Sequence, residues 1–108
     1  MRSISLVLVA MVLTAGCGSA ALPTAADSDA VRAQSRWPST TAAELNRGRA
    51  LYLGHCSNCH LPVPPARFTA AVWPKHVGDM RKRAGLTAIE AEAVQRYLMT
   101  MAQVTAEK

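Results

Sequence analysis

The chain has 108 residues, half of them apolar, with 18% charged residues and a formal charge of +5, one unit of it from Arg2. That length holds one small domain with room for a leader or tail, and the positive balance favours acidic protein surfaces or anionic membranes as neighbours. Nucleic acid is not indicated: aromatic residues make up 5% of the chain and, apart from Arg81-Lys82-Arg83, the basic residues are scattered, so no basic helix or stripe is presented to a phosphate backbone.

Residues 1–16 carry one charge, Arg2, followed by an apolar run over 4–15 broken by Ser5 and Thr14. The run is short for a bilayer span and fits the apolar region of an export signal. It closes on Leu13-Thr14-Ala15-Gly16-Cys17, which resembles the lipobox of bacterial lipoproteins, with Thr14 where an aliphatic residue is usual. The resemblance implies cleavage before Cys17, lipidation of its thiol and firm anchoring on the periplasmic side of a membrane. Gly18, which is not Asp, implies the outer membrane where the cell has two. The bland alternative is a plain signal peptide and a chance cysteine.

Residues 17–40 are rich in Ala, Ser, Thr and Asp, with Pro23 and Pro38 as breakers. Such a stretch cannot bury enough surface to fold alone and is expected to be a flexible tether with a reach of roughly 25 Å. Trp37 is its odd residue, expected to pack back on the domain that occupies 41–108.

That domain opens at Thr41-Ala42-Ala43-Glu44, a capping box in which a hydroxyl and a carboxylate satisfy opposite backbone N–H groups. A helix runs from there to about residue 53, with Leu45, Gly48 and Tyr52 on one face. Gly48 costs helix propensity, which predicts that another element approaches there.

Next comes Cys56-Ser57-Asn58-Cys59-His60. Two thiols three apart with an imidazole directly after them form the attachment motif of a c-type haem. On one tight turn the two sulfurs reach the two vinyl groups of a single porphyrin and the next side chain reaches its iron. A redox disulfide would call for strand and helix alternation, which is missing, and a zinc site for two more ligands at structural spacing. Of three cysteines the motif uses two, and Cys17 is the third.

On these five residues the chain resembles the cytochrome c family. The resemblance implies an all-α, cytochrome c-like bundle of about three to four short helices around one covalently attached haem. Cys56 and Cys59 would carry the thioether bonds and His60 would be the proximal iron ligand. Gly48 and Tyr52 match the glycine and aromatic at which the first and last helices of these cytochromes cross.

Leu61-Pro62-Val63-Pro64-Pro65 cannot be helical and imposes a stiff, extended path. One of its carbonyls is expected to accept the His60 Nδ1 proton and fix the ring. A helix capped by Thr69, or starting nearer Trp73 because of Pro74, should run to about 84 and close at Gly85. Trp73, His76, Val77, Met80 and Ala84 form one stripe on it. Thr87-Ala88-Ile89-Glu90 is a second capping box, opening a last helix to about 102. Its inner face is expected to be Ile89, Ala93, Val94, Tyr97 and Met101, with Glu92, Gln95, Arg96 and Met99 outside.

Candidates for a sixth iron ligand are Met80, His76, Met99 and Met101, with an open site as the remaining alternative. Met101 falls on a core stripe, where methionine usually fills gaps. The run from Phe68 through Trp73, Val77 and Met80 to Gly85-Leu86 resembles a group of small cytochromes c whose methionine is the distal ligand, which implies Met80. His76, one turn earlier, is the rival and would give a lower potential. His55 is expected to be a surface residue near the haem edge.

These readings converge on an exported, lipid-anchored monohaem carrier of single electrons between redox proteins, not an enzyme. The alternatives are a haem-based sensor of small ligands and a bis-histidine cytochrome of low potential.

Overall fold

The computed structural model describes residues 22–56 and 62–106. In order these form α1 (Asp27–Ala33), α2 (Ala42–Cys56), a 3-10 turn (Pro65–Arg67), α3 (Trp73–Ala84) and α4 (Ala88–Ala106). There is no strand among the described residues, so the molecule is the all-helical bundle expected. The expected export signal over residues 1–16, Cys17, Cys59 and His60 lie outside the described residues.

α4 is the axis, contacting α1, α2, α3 and the 3-10 turn. Val94, Tyr97 and Leu98 on it are fully buried and meet Leu45 and Tyr52 of α2 and Trp73 and Val77 of α3. Gly48 is the closest approach. A Cβ there would strike the Ala93 carbonyl oxygen and come within 2.8 Å of its carbon and 3.0 Å of the Tyr97 Cβ. The glycine therefore lets one helix backbone lie directly on the other, which accounts for a residue that costs helix propensity.

Both capping boxes form. Glu44 N–H donates to Thr41 Oγ1 at 3.2 Å and Thr41 N–H to the Glu44 carboxylate at 3.3 Å. Thr87 and Glu90 repeat the exchange at 3.2 and 3.0 Å. The Thr87 groups that stabilise the Glu90 carboxylate also hold its pKa below the usual value. α3 starts at Trp73, with Pro74 in the first turn where a missing N–H costs nothing. It ends at Gly85, in the left-handed conformation at φ 70°.

Two expectations are corrected. The inner face of α4 is Ala91, Val94, Tyr97, Leu98, Met101 and Ala102, whereas Ile89 is 72% exposed. Ile89 borders an open cleft of about 200 Å³ between the first turns of α2 and α4, lined also by Leu45, Arg47 and Ala93. Met99, expected outside, is half-buried against the core.

The larger correction concerns residues 22–40. The part of the expected tether that the structure describes is a strap folded onto α2 and α4. Leu22, Ala25, Ala30 and Ala33 are buried. The Asn46 amide grips the Ala25 backbone from both sides, accepting its N–H at 2.8 Å and donating to its carbonyl at 3.0 Å. Arg49 Nε donates to the Leu22 carbonyl at 2.9 Å, and the Tyr97 hydroxyl to that of Pro23 at 2.7 Å. Asp29, itself buried, accepts the Ala26 N–H and pairs with Arg32, which reaches the Thr100 carbonyl. Trp37 packs back as expected, with the Arg96 guanidinium 5.3 Å over its ring. Small side chains that fit closely, and main-chain groups held by distant side chains, supply what large apolar residues would otherwise provide.

Candidate haem site

The last turn of α2 brings the chain to Cys56, and the described chain resumes at Pro62. The proline loop that starts there is fastened to the helices on either side. The Tyr52 hydroxyl donates to the Val63 carbonyl at 2.7 Å, and Trp73 Nε1 to the Pro65 carbonyl at 2.8 Å. Arg67 N–H donates to the Pro64 carbonyl at 3.0 Å. The prolines remove backbone donors, so the carbonyls of this stretch recruit side-chain and downstream donors instead.

An aromatic group stands behind the loop. Trp73 meets Tyr52 and Phe68 edge-on, with centroids 6.4 and 5.2 Å apart, an arrangement aromatic rings prefer. Phe68 stacks on His76 at 4.2 Å and 22°, and Trp73 lies edge-on to the same imidazole at 6.0 Å. Trp73 and Val77 are buried, while His76 and Met80 are half-buried on the same stripe. The structure thus brings His76 and Met80 to one face of α3, as the periodicity predicts. It occupies the His76 ring with aromatic neighbours and sets Met80 one turn further along.

His55, expected at the surface, is half-buried, its Nδ1 3.0 Å from the Ala84 carbonyl oxygen. This bond joins the residue before the attachment motif to the end of α3. Sequence carries no signal for it, because the partner is a main-chain oxygen made available by the end of another helix.

Among the described residues no group of three or more His, Cys, Asp or Glu is placed to hold a metal ion. The attachment motif supplies two thiols and an imidazole, and α3 adds a half-buried thioether. These are the donor types that haem c takes, thiols for the porphyrin and an imidazole or thioether for the iron. The family model for dihaem cytochrome c matches residues 52–108, more than half of the chain. The chain belongs to the dihaem cytochrome c family.

The match begins at Tyr52 and takes in the attachment motif, the proline loop, α3 and α4. Membership makes the chain a c-type cytochrome with covalently bound haem c and electron transfer as its chemistry. Comparison with curated proteins and with solved structures found no match. The family is dihaem, whereas these 108 residues contain one attachment motif. The strap and the first part of α2 lie outside the matched region.

Proposed function

We propose that this cytochrome is an exported, membrane-anchored monohaem carrier of single electrons, with Cys56 and Cys59 bonded to the haem, His60 as proximal and Met80 as distal ligand. The observation that carries the reading is the attachment motif at the end of α2 together with a half-buried thioether on the stripe of α3. A haem held by two thioethers and two axial bonds supplies one-electron transfer with little rearrangement. The chain does the rest. Tyr52 and Trp73 fix the loop after the motif, and the core of α3 and α4 keeps water from that side. The stacking of His76 on Phe68 favours Met80 as the ligand that remains free to turn to the iron. One haem per chain is supported by the count of cysteines, since only Cys56 and Cys59 have the required spacing.

The partners are redox proteins. Arg81, Lys82 and Arg83 are all exposed on α3 beside Met80 and suit an acidic docking surface, for which transfer rates fall as salt rises. The export signal and Cys17 support a lipid anchor on the periplasmic side of a membrane. No described helix is long and apolar enough to cross one.

The test is the far-red spectrum of the ferric protein. A methionine sulfur to iron charge-transfer band that disappears in Met80→Ala and persists in His76→Ala supports the reading. A c-type haem without that band, or with rapid carbon monoxide binding in the reduced state, overturns Met80 as ligand and moves the function toward low-potential transfer or ligand sensing.

A further inference from the structure

We infer that the strap seats the haem domain on the bilayer that holds Cys17, so that it fits an electron partner carried in or on that same membrane and not one reached by swinging into the aqueous space. The inference rests on the proposed lipidation of Cys17. Five residues lead from Cys17 to Leu22, a span of at most about 18 Å when fully extended. At Leu22 the chain is already part of the domain, its carbonyl bonded to Arg49 and its side chain 6% exposed. From Arg49 to Cys56 is about 10 Å along α2. With the width of the side chains between, the attachment motif then lies within about 40 Å of the lipid headgroups.

Without the strap the leash would begin at Thr40, and its extended length would be about 80 Å. The difference rests on a small number of groups. Asn46 holds both polar atoms of the Ala25 backbone, Arg49 and Tyr97 hold the carbonyls before it, and the Asp29 and Arg32 pair ties α1 to the Thr100 carbonyl of α4. Every one of these partners lies on a helix or within the strap, so the attachment is built into the fold from both sides.

The experiment uses the full lipidated holoprotein on vesicles of phosphatidylethanolamine and phosphatidylglycerol carrying a headgroup fluorophore, whose quenching reports the nearness of the haem. A lipid bearing a pre-reduced viologen headgroup in the same vesicles, giving one electron to each ferric haem, reports access to a membrane-held donor. The wild type is expected to quench strongly and to be reduced readily by the lipid. Asn46→Ala with Arg49→Ala is expected to lose most of both signals while the Soret spectrum and flotation with vesicles are unchanged. Should that pair disturb the haem, Leu22→Asp alters the strap alone and is expected to give the same loss. Equal quenching and equal reduction in the wild type and Leu22→Asp overturn the inference and leave the anchor standing. A Cys17 without added lipid mass, in protein that does not float with vesicles, overturns the anchor and the inference together.

Discussion

His55 and Ala84 join the last turn of α2 to the last residue of α3 through one hydrogen bond, Nδ1 to carbonyl oxygen at 3.0 Å. The acceptor is one of the helix-terminal carbonyls that lack an intrahelical donor. His55→Ala removes its partner at a half-buried position and is expected to cost about 1 kcal/mol, which lowers Tm by about 4–8 °C in a domain of this size. His55→Asn, with an amide donor at a similar reach, should recover part of the loss. Thermal melts of the three proteins decide it, and identical midpoints would show that the bond contributes nothing.

Gly48 and Gly78 offer a paired comparison, since both are helical and only one is in contact. Gly48→Ala forces a methyl group against the Ala93 carbonyl and is expected to destabilise by about 1–3 kcal/mol in spite of the gain in helix propensity. At Gly78 a Cβ meets nothing within 4 Å, so Gly78→Ala is expected to stabilise by about 0.5–1 kcal/mol. Denaturant midpoints moving in the same direction would contradict the close crossing of α2 and α4.

Tyr97 carries a pH dependence. Burial pushes its phenol from 10.0 up to about 12, against a smaller opposing effect of Arg49. The folded state therefore keeps the proton that the unfolded chain begins to release near pH 10. Stability from this group is complete below that point and declines as pH rises toward 12. Tyr97→Phe should abolish this part of the alkaline decline and, through loss of the bond to Pro23, lower stability by about 1 kcal/mol at neutral pH. Unfolding free energies measured from pH 8 to the alkaline limit test both statements, and an unchanged slope in the variant would remove Tyr97 from the account.

Trp73 combines two roles that one substitution separates. Trp73→Phe keeps most of the apolar bulk beside Tyr52 and Phe68 but leaves the Pro65 carbonyl without its indole donor. Loss of about 1–3 kcal/mol is expected, together with faster proteolysis within residues 62–68. A cleavage pattern like that of the wild type would place the hold on the loop elsewhere.

What the sequence discloses about this molecule is what is encoded locally. The Thr41 with Glu44 and Thr87 with Glu90 boxes, the Gly85 terminus and the attachment motif each lie within a few residues, and their chemistry can be read from their order. Gly48 is legible because a glycine inside a helix needs a reason. The strap is not. Its alanines look too small to build a core, and the groups that hold it, Asn46, Arg49 and Tyr97, stand far away in sequence and look like ordinary helix residues. Ile89 is misplaced for a related reason: helical periodicity gives the face of a residue but not whether the facing helix extends far enough to cover it. The stripe of α3 lies between these cases, since spacing puts His76 and Met80 together and only the stacking of His76 on Phe68 distinguishes them.

The contact of Gly48 with Ala93 also makes α2 a lever. The helix is pinned there, backbone to backbone, and its end at Cys56 extends about 12 Å beyond the pivot. A tilt of about 5° at the pin would carry that end roughly 1 Å. Bulk added at position 48 would therefore be felt at the crossing and also, through the bonds of Tyr52 and His55, in the proline loop and at the end of α3.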